Sequence, residues 1–408
     1  MSRDEREEAP PSAGRPSVTI LARSLERTGG AEQQFAQLAI GLRQLGFPVR
    51  IVTFYRGDSL EEDVRRGGVA ITCIEKRGRW DTLGFAQRAY RAIVQDPPAI
   101  LQSFLVPPNI LAALLGMLRR DIRIVWGVRA SDMDVRRYDW THRWLGIAEA
   151  HLSARADLVV ANSHAGRKEL IRRGFAASRI EVVPNGIDTD RFHPDRAAGA
   201  ALRAQWLGTA PGPLIGMVAR LDPMKDHATF FLAAKQLIQV APGARFVCAG
   251  SQSTPTAAAV RRQCQELGLE PVVRWESARV DMPNVMNAFD FLTLTSAFGE
   301  GFPNVIGEAM ACALPVATTD VGDAALLVGN AGLVVPARAP QQLADAWRRL
   351  ASMPAGEREQ LGTTGRHRIV EEFSRKRMVE RTAALYLAQH GLQRTAARST
   401  HPGSADAR

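Results

Sequence analysis

The sequence predicts an α/β protein built from two doubly wound parallel-sheet domains. Three observations carry that expectation. Short apolar runs of strand length alternate with segments of helical spacing, the order that builds a parallel sheet covered by helices on both faces. The turn signal Pro184-Asn185-Gly186-Ile187-Asp188 interrupts the alternation near its middle. At 408 residues the chain is also longer than one ordinary domain.

The first domain is expected over residues 17–188, with strands at 18–22, 49–54, 69–74, 99–104, 122–128, 157–161 and 180–183. Arg27-Thr28-Gly29-Gly30-Ala31-Glu32 lies between the first strand and a helical pattern at Phe35, Leu38, Ala39 and Leu42. A glycine pair between strand and helix lets backbone approach a phosphate, which makes Gly29 and Gly30 candidates; such a pair also simply makes turns. Residues 189–212 read as a polar, Ala/Gly-rich linker. The second domain is expected over 213–374, with strands at 214–219, 245–249, 272–275, 291–294, 316–319 and 333–335. A helix is read at 226–240, and the last helices at about 340–352, 356–372 and 375–389. Residues 1–16 and 391–408 are polar and poor in large apolar side chains, so both are expected to be disordered tails.

Composition narrows the function. The chain is 46% hydrophobic and 23% charged, ordinary for a protein with real cores. A net charge of +10 favours anionic partners such as nucleotides, phospholipid headgroups or nucleic acid, although the arginines are spread along the chain. Cys73, Cys248, Cys264 and Cys312 form no Cys-x-x-Cys pair, so neither a zinc site nor a disulfide framework is implied, and a reducing cytoplasmic compartment is expected. Residues 1–16 lack the apolar core of a signal peptide, and no apolar run is long enough to span a membrane. Residues 107–120, ending in Arg119-Arg120, and the aromatic, basic stretch 138–153 read either as core-facing helices or as contacts with an anionic membrane surface.

Two stretches carry the chemistry. The apolar run 291–294 leads into Ser296-Ala297-Phe298-Gly299-Glu300-Gly301-Phe302-Pro303-Asn304-Val305-Ile306-Gly307-Glu308. Ser296, Gly299 and Gly301 break the strand into a loop, and Pro303 suits the first turn of a helix. Ile306, Ala309 and Met310 have the spacing of a buried helix face. Glu300 is therefore expected at the carboxyl end of a strand, where open α/β sheets bind ligands, with Glu308 on the helix that follows. A carboxylate suits a sugar diol because it accepts two hydrogen bonds. Two such glutamates are, by themselves, also what a solvated loop and helix surface carry. The second stretch, Arg220-Leu221-Asp222-Pro223-Met224-Lys225-Asp226, follows the strand at 214–219. Two cations beside a helix N-terminus suit a phosphate by charge, by the forked donors of arginine and by the helix dipole. Taken alone, the pair equally fits surface cations.

These stretches resemble the family-4 glycosyltransferases with the GT-B fold. The shared pattern is Glu, seven residues, Glu, here within Phe-Gly-Glu-Gly-Phe-Pro-Asn-Val and the following Glu-Ala-Met-Ala. Pro-Asn-Gly-Ile-Asp resembles the family's segment at the domain boundary. The resemblance covers nearly all of residues 17–390, specifically in the second domain and loosely in the first. It implies two Rossmann-like domains facing each other across a cleft, with the helix at 375–390 packing back on the first. It implies a retaining, metal-independent transfer of sugar from a nucleotide-diphosphate sugar to a carbohydrate or lipid-linked acceptor, in envelope or exopolysaccharide assembly. It also implies a cytoplasmic location, at the inner face of the membrane.

By the same resemblance Arg220 and Lys225 grip the donor diphosphate and Glu300 contacts the donor sugar, making these the catalytic candidates. Gly29, Gly30, Gly301, Phe302, Pro303, Asn304, Val305 and Glu308 are the donor-binding candidates, with Glu308 on the ribose. Fixed cations lower the barrier because negative charge develops on the leaving phosphate. A double displacement needs two carboxylates roughly 5 Å apart, and the sequence displays no such pair across the cleft. Trp126-Gly127-Val128-Arg129-Ala130-Ser131-Asp132 resembles a segment of some members, which points Arg129 into the cleft toward phosphate or acceptor and Asp132 toward an acceptor hydroxyl; the same two residues also fit a buried ion pair or surface charges. Asn162, at a strand end, is a further cleft candidate. Many members carry a cleft histidine where this chain has Leu105-Val106-Pro107-Pro108 or Ala130, so a histidine-assisted step does not carry over. Neither Asp132-Met133-Asp134 nor Asp188-Thr189-Asp190 reads as a metal site, and no cofactor is expected. The same fold also fits a nucleotide-sugar epimerase, a phosphorylase or a non-catalytic polyanion-binding module. Dispersed charge speaks against nucleic acid as a partner, and no Gly-x-Gly-x-x-Gly follows the first strand as in a dehydrogenase.

Overall fold

The computed structural model describes residues 14–26, 30–78, 81–129 and 140–399. The first half of the chain alternates strand and helix: β1 (Val18–Ala22), α1 (Gly30–Gln44), β2 (Val49–Thr53), α2 (Ser59–Arg66), β3 (Ala70–Cys73), α3 (Thr82–Ile93), β4 (Ile100–Phe104), α4 (Val106–Leu118), β5 (Arg123–Val128), α5 (Trp140–Leu152), β6 (Leu158–Ala161), α6 (His164–Arg172) and β7 (Ile180–Val182). After α7 (Arg196–Leu207) the alternation resumes with β8 (Leu214–Val218), α8 (His227–Val240), β9 (Arg245–Ala249), α9 (Ala257–Glu266), β10 (Val273–Glu276), α10 (Met282–Ala288), β11 (Phe291–Leu294), α11 (Asn304–Ala311), β12 (Val316–Thr319), α12 (Ala324–Val328) and β13 (Gly332–Val335). Three helices close the described chain: α13 (Pro340–Ser352), α14 (Ala355–Glu372) and α15 (Arg375–Ser399).

The strands form two sheets, of order β3-β2-β1-β4-β5-β6-β7 and β10-β9-β8-β11-β12-β13. All strand pairs within both are parallel. Each expected strand run overlaps one of these strands, β10 and β13 each reaching one residue beyond the expected bounds. The apolar content explains why: β1, β4 and β11 are buried at every residue, as a parallel sheet covered on both faces requires. The order of the strands reverses beside β1 in the first sheet and beside β8 in the second, and ligands bind at such switch points outside the carboxyl ends.

Each sheet has a core on both faces. In the first, Phe35, Leu38 and Leu42 of α1 share one core with Met378, Val379 and Tyr386 of α15, while Trp126 and Phe175 lie in the core on the opposite face. In the second, Phe230, Phe246 and Trp347 fill one face, and Phe289, Phe302, Ile306 and Phe373 the other. The chain passes between the sheets twice, and the two passages touch. Ile187 and Ser374 form an isolated parallel bridge, with Ile187 N–H donating to Phe373 O at 2.8 Å and Arg375 N–H to Ile187 O at 2.8 Å. Gly186 is required here, because a Cβ would sit 2.7 Å from Arg375 Cα.

Two stretches differ from their sequence reading. The polar linker expected at 189–212 contains α7, which packs on the second sheet through Trp206 stacked on Phe289 at 5.6 Å between ring centroids. Its alanines are strong helix formers, Asp195 caps it, and the single tryptophan supplies the anchor. The tail expected from 391 continues α15 as far as Ser399, since extending a formed helix through Ala396, Ala397 and Arg398 costs little. Residues 1–13 and 400–408 of the expected tails lie outside the described residues.

Candidate functional site

The loops after β8 and β11 are neighbours because those strands pair in the second sheet. The first loop is tightly turned. Asp222 accepts from Met224 N–H at 2.9 Å, and Asp226, in the left-handed region at φ 45°, accepts from Thr229 N–H to cap α8. Thr295, at the end of β11, donates its hydroxyl to the carbonyls of Lys225 and Asp226 at 2.8 and 3.0 Å, which ties the two loops together.

That tie brings Lys225 onto Glu300. The ammonium pairs directly with Glu300 Oε1, and Ser296 Oγ donates to the same oxygen at 2.5 Å. Both side chains are nearly out of solvent, 14% and 9% exposed, so the pair is held in a medium that strengthens the attraction. A lysine ammonium has three donors, so Lys225 keeps capacity toward a further acceptor. Arg220 is exposed just after β8, and its side chain forms no hydrogen bond or ion pair with a described residue.

Glu308 is built differently. It lies partly covered on α11 and its carboxyl accepts no hydrogen bond from a described residue. Burial pushes its pKa up to about 7, against a smaller pull downward from Arg191. Gly299 takes φ 78°, a conformation that suits glycine. Phe302 is not available to a ligand through its ring: it lies in the core, 5.6 Å from Phe373 between ring centroids. Pro303 stands one residue before α11, at its cap rather than in its first turn, and Val305 packs against the core. Helix α8 likewise starts at His227, one residue later than the sequence reading, because Asp226 is its cap.

The opposite wall comes from the first sheet. Gly30 begins α1 and faces α11, where a Cβ on it would lie 3.7 Å from Asn304 Nδ2. Asn304 Oδ1 accepts from Asn185 Nδ2 at 2.8 Å, and Asn185 Oδ1 accepts from Arg129. Arg129 also lies over the Phe104 ring, 4.9 Å from its centroid. Its Nε is buried without a partner, and burial lowers its pKa to about 10, with Tyr386 and Glu32 pulling back upward. It therefore stays charged at neutral pH. Asn162 is buried and abuts Gly301 so closely that a Cβ there would meet Asn162 Oδ1 at 2.9 Å. Gly29 and Asp132 lie outside the described residues. A cavity of about 570 Å³ opens between α6 and the Glu300 loop, lined in part by Lys168, Arg172, Gly299, Glu300 and Asp320.

The sequence reading missed several residues. Ser296 was read only as a strand breaker, yet it holds Glu300. Asn185 was read as a turn residue, yet it joins the two walls. Asp323 was not singled out, yet its carboxylate accepts from His164 and Ala165 N–H at 2.7 and 2.9 Å across the cleft. His227 is buried with neither ring nitrogen bonded, and burial lowers its pKa to about 4, aided by Lys225; it stays neutral. Asp188 and Asp190 are engaged by Arg375 at 2.8 and 3.2 Å. Among the described residues no three His, Cys, Asp or Glu side chains gather as a metal site.

Residues 28–191 match the family model for Glycosyltransferase Family 4, and residues 212–353 match that for Glycosyl transferases group 1. The chain belongs to the family-4 glycosyltransferases. The first matched stretch holds β2 to β7 of the first sheet, β1 preceding it, and the second holds all six strands of the other sheet. Relatives named D-inositol 3-phosphate glycosyltransferase include one from Corynebacterium jeikeium, 32% identical over 213 residues, covering 49% of this chain and 50% of that protein. The one from Nocardia farcinica is 32% identical over 234 residues, covering 54% and 49%. The alignments thus span about half the length of these curated relatives. Among solved structures, Anabaena Alr3699/HepE in complex with UDP superimposes with a TM-score of 0.77 at 21% identity, over 91% of this chain and 100% of that one. Sucrose-phosphate synthase from Thermosynechococcus elongatus gives 0.71 at 21% identity, over 93% and 100%. These likenesses show a shared fold over 91% and 93% of this chain.

Proposed function

We propose that this family-4 chain is a retaining, metal-independent glycosyltransferase that moves a sugar from a nucleotide-diphosphate sugar to a carbohydrate or lipid-linked acceptor in envelope or exopolysaccharide assembly. The observation that carries the reading is the Lys225–Glu300 pair between the loops after β8 and β11, with Arg220 on the first of these loops and Glu308 on the helix that follows the second. Arg220 and Lys225 receive the diphosphate. Glu308 accepts the ribose hydroxyls, and the Glu300 loop faces the sugar. Solved neighbours in complex with UDP or UDP-glucose support a uridine diphosphate donor.

The reaction breaks the bond from the anomeric carbon to the diphosphate oxygen and forms one to the acceptor hydroxyl oxygen. The acceptor proton passes to the leaving phosphate. Negative charge grows on that phosphate, where Lys225 is already fixed by Glu300 and needs no reorganisation. Arg129, which pairs with no carboxylate among the described residues, suits a phosphate on the acceptor, and relatives named for inositol 3-phosphate fit that class.

The membrane side of the proposal rests on α4 and α5, which pack together. They leave Leu114, Met117, Leu118, Trp144 and Ile147 exposed, Trp144 at 65% and Leu118 at 62%. Exposed Arg120 adjoins this apolar face, a combination that suits an anionic lipid surface. No helix among the described residues is long and apolar enough to cross a membrane.

Thermal-shift and calorimetric profiling against UDP, GDP and ADP tests the donor. One diphosphate is expected to raise the melting temperature, and Arg220→Ala and Glu308→Ala to abolish the shift. Stabilisation by polyanions with none by any nucleotide would favour the polyanion-binding module instead. Cosedimentation with phosphatidylglycerol vesicles, weakened in Trp144→Ala and absent with phosphatidylcholine, tests the membrane contact.

A further inference from the structure

Asp323 stands at the cap of α12, the position from which an aspartate ordinarily caps its own helix. Its side chain makes no such bond there. It reaches instead to the other sheet, where its two oxygens accept from His164 N–H at 2.7 Å and Ala165 N–H at 2.9 Å. These are the first two donors of α6. The third, Gly166 N–H, is taken at 2.9 Å by Ser163 Oγ, the helix's own cap. The N-terminus of α6 is therefore completed only when a carboxylate from the second sheet is docked on it. A helix N-terminus attracts negative charge, so the contact draws on the dipole as well as on two hydrogen bonds.

The other end of Asp323 is anchored to the catalytic loop. Its backbone N–H donates to Gly301 O at 2.9 Å. Gly322, at φ 65°, allows that approach: a Cβ there would lie 2.3 Å from Glu300 O. Asp323 is itself buried. One residue thus couples the position of Glu300 and Gly301 to the first sheet.

We propose that Asp323 is a positioning residue, a latch that holds the two sheets at the spacing seen here and sets the Glu300 loop against the first wall. Its carboxylate is spent on α6 and its backbone on Gly301, so it acts on closure of the cleft and the placing of that loop rather than on a ligand directly. The proposal holds whichever nucleotide fills the cleft.

The test reads the distance between the two sheets in the full chain. Spin labels are placed at Leu83→Cys on α3 and Val240→Cys on α8, both exposed, in a Cys73→Ser background. Pulsed electron resonance is recorded without nucleotide and with UDP as probe. The parent is expected to give one dominant distance. Asp323→Ala is expected to move the closing equilibrium toward a second, separated state by about tenfold or more, the loss expected for hydrogen bonds to a charged group. Asp323→Asn, which keeps the shape and removes the charge, is expected to shift it less. The melting temperature reads the fold separately. Distance distributions that superimpose on the parent overturn the proposal, and so does loss of cooperative melting in both variants, which would make Asp323 a fold residue. Because the first recording uses no nucleotide, failure of the donor assignment leaves this result interpretable.

Discussion

The two walls of the cleft hold their charged groups in opposite ways. On the second-sheet wall Lys225, Ser296 and Glu300 form one closed cluster, locked from beneath by Thr295. On the first-sheet wall Arg129 leans on a ring and on one amide, with its Nε left unbonded in a buried place. A locked pair is preorganised for charge that develops in the same place in each turnover. A half-buried cation with no carboxylate partner among the described residues is costly to keep and suits a group brought by a substrate. The contrast fits a fixed donor side facing a variable acceptor side.

Breaking the locked pair is expected to have the largest effect. Lys225→Ala leaves Glu300 in a buried place without its cation, which costs about 3–5 kcal/mol of stability and should lower the transfer rate by a further factor of about 10² to 10³. The combination of Lys225→Met with Glu300→Gln should recover most of the stability and none of the rate. Denaturant unfolding and turnover, measured on both proteins, separate the two effects; recovery of the rate would show that the pair is only structural.

Glu308 sharpens the comparison because it is on the locked wall yet unbonded. Its folded pKa of about 7 lies above the ordinary 4.5, so stability is full below about 4.5 and falls as pH rises to about 7. Glu308→Gln should therefore stabilise the protein by about 1–3 kcal/mol at pH 8 and by almost nothing at pH 4. UDP affinity should weaken as pH falls below 7 in the parent, because the diol needs the carboxylate, and should lose that pH dependence in the variant. A flat pH profile in the parent would remove Glu308 from the ribose.

Gly301→Ala tests how closely the walls meet. The new methyl would press on Asn162, at a cost of about 1–3 kcal/mol or an equivalent separation of the walls. A variant as stable as the parent, with an unchanged scattering radius, would mean the contact gives way freely. The smallest effect is expected at the chain crossing, away from both walls. Asp188→Asn removes one ion pair with half-exposed Arg375 and should cost about 0.5 kcal/mol by unfolding, with no change in nucleotide binding.

The fold was legible because burial on both faces forces continuous apolar runs, as in β1, β4 and β11, while the partly exposed edge strands β3 and β10 were carried by the alternation of strand and helix. Helix α7 was not, since its alanines and polar residues look like a linker until Trp206 finds Phe289. The positions of Arg220, Lys225 and Glu300 in loops after strands, and of Glu308 on the helix that follows, came from local signals. Their environments did not: that Lys225 would pair with Glu300, that Glu308 would stay bare, and that the Phe302 ring would turn into the core depend on contacts between distant segments. Asp323 is the sharpest case. Its local signal is an ordinary helix cap, and only the tertiary structure diverts it to α6.

A co-crystal structure with UDP tests the central claim most directly. The account predicts the diphosphate within hydrogen-bond reach of Arg220 and Lys225, the ribose hydroxyls on Glu308, and the Lys225–Glu300 pair still in place. A nucleotide seated elsewhere, or one whose phosphates avoid both cations, would contradict it.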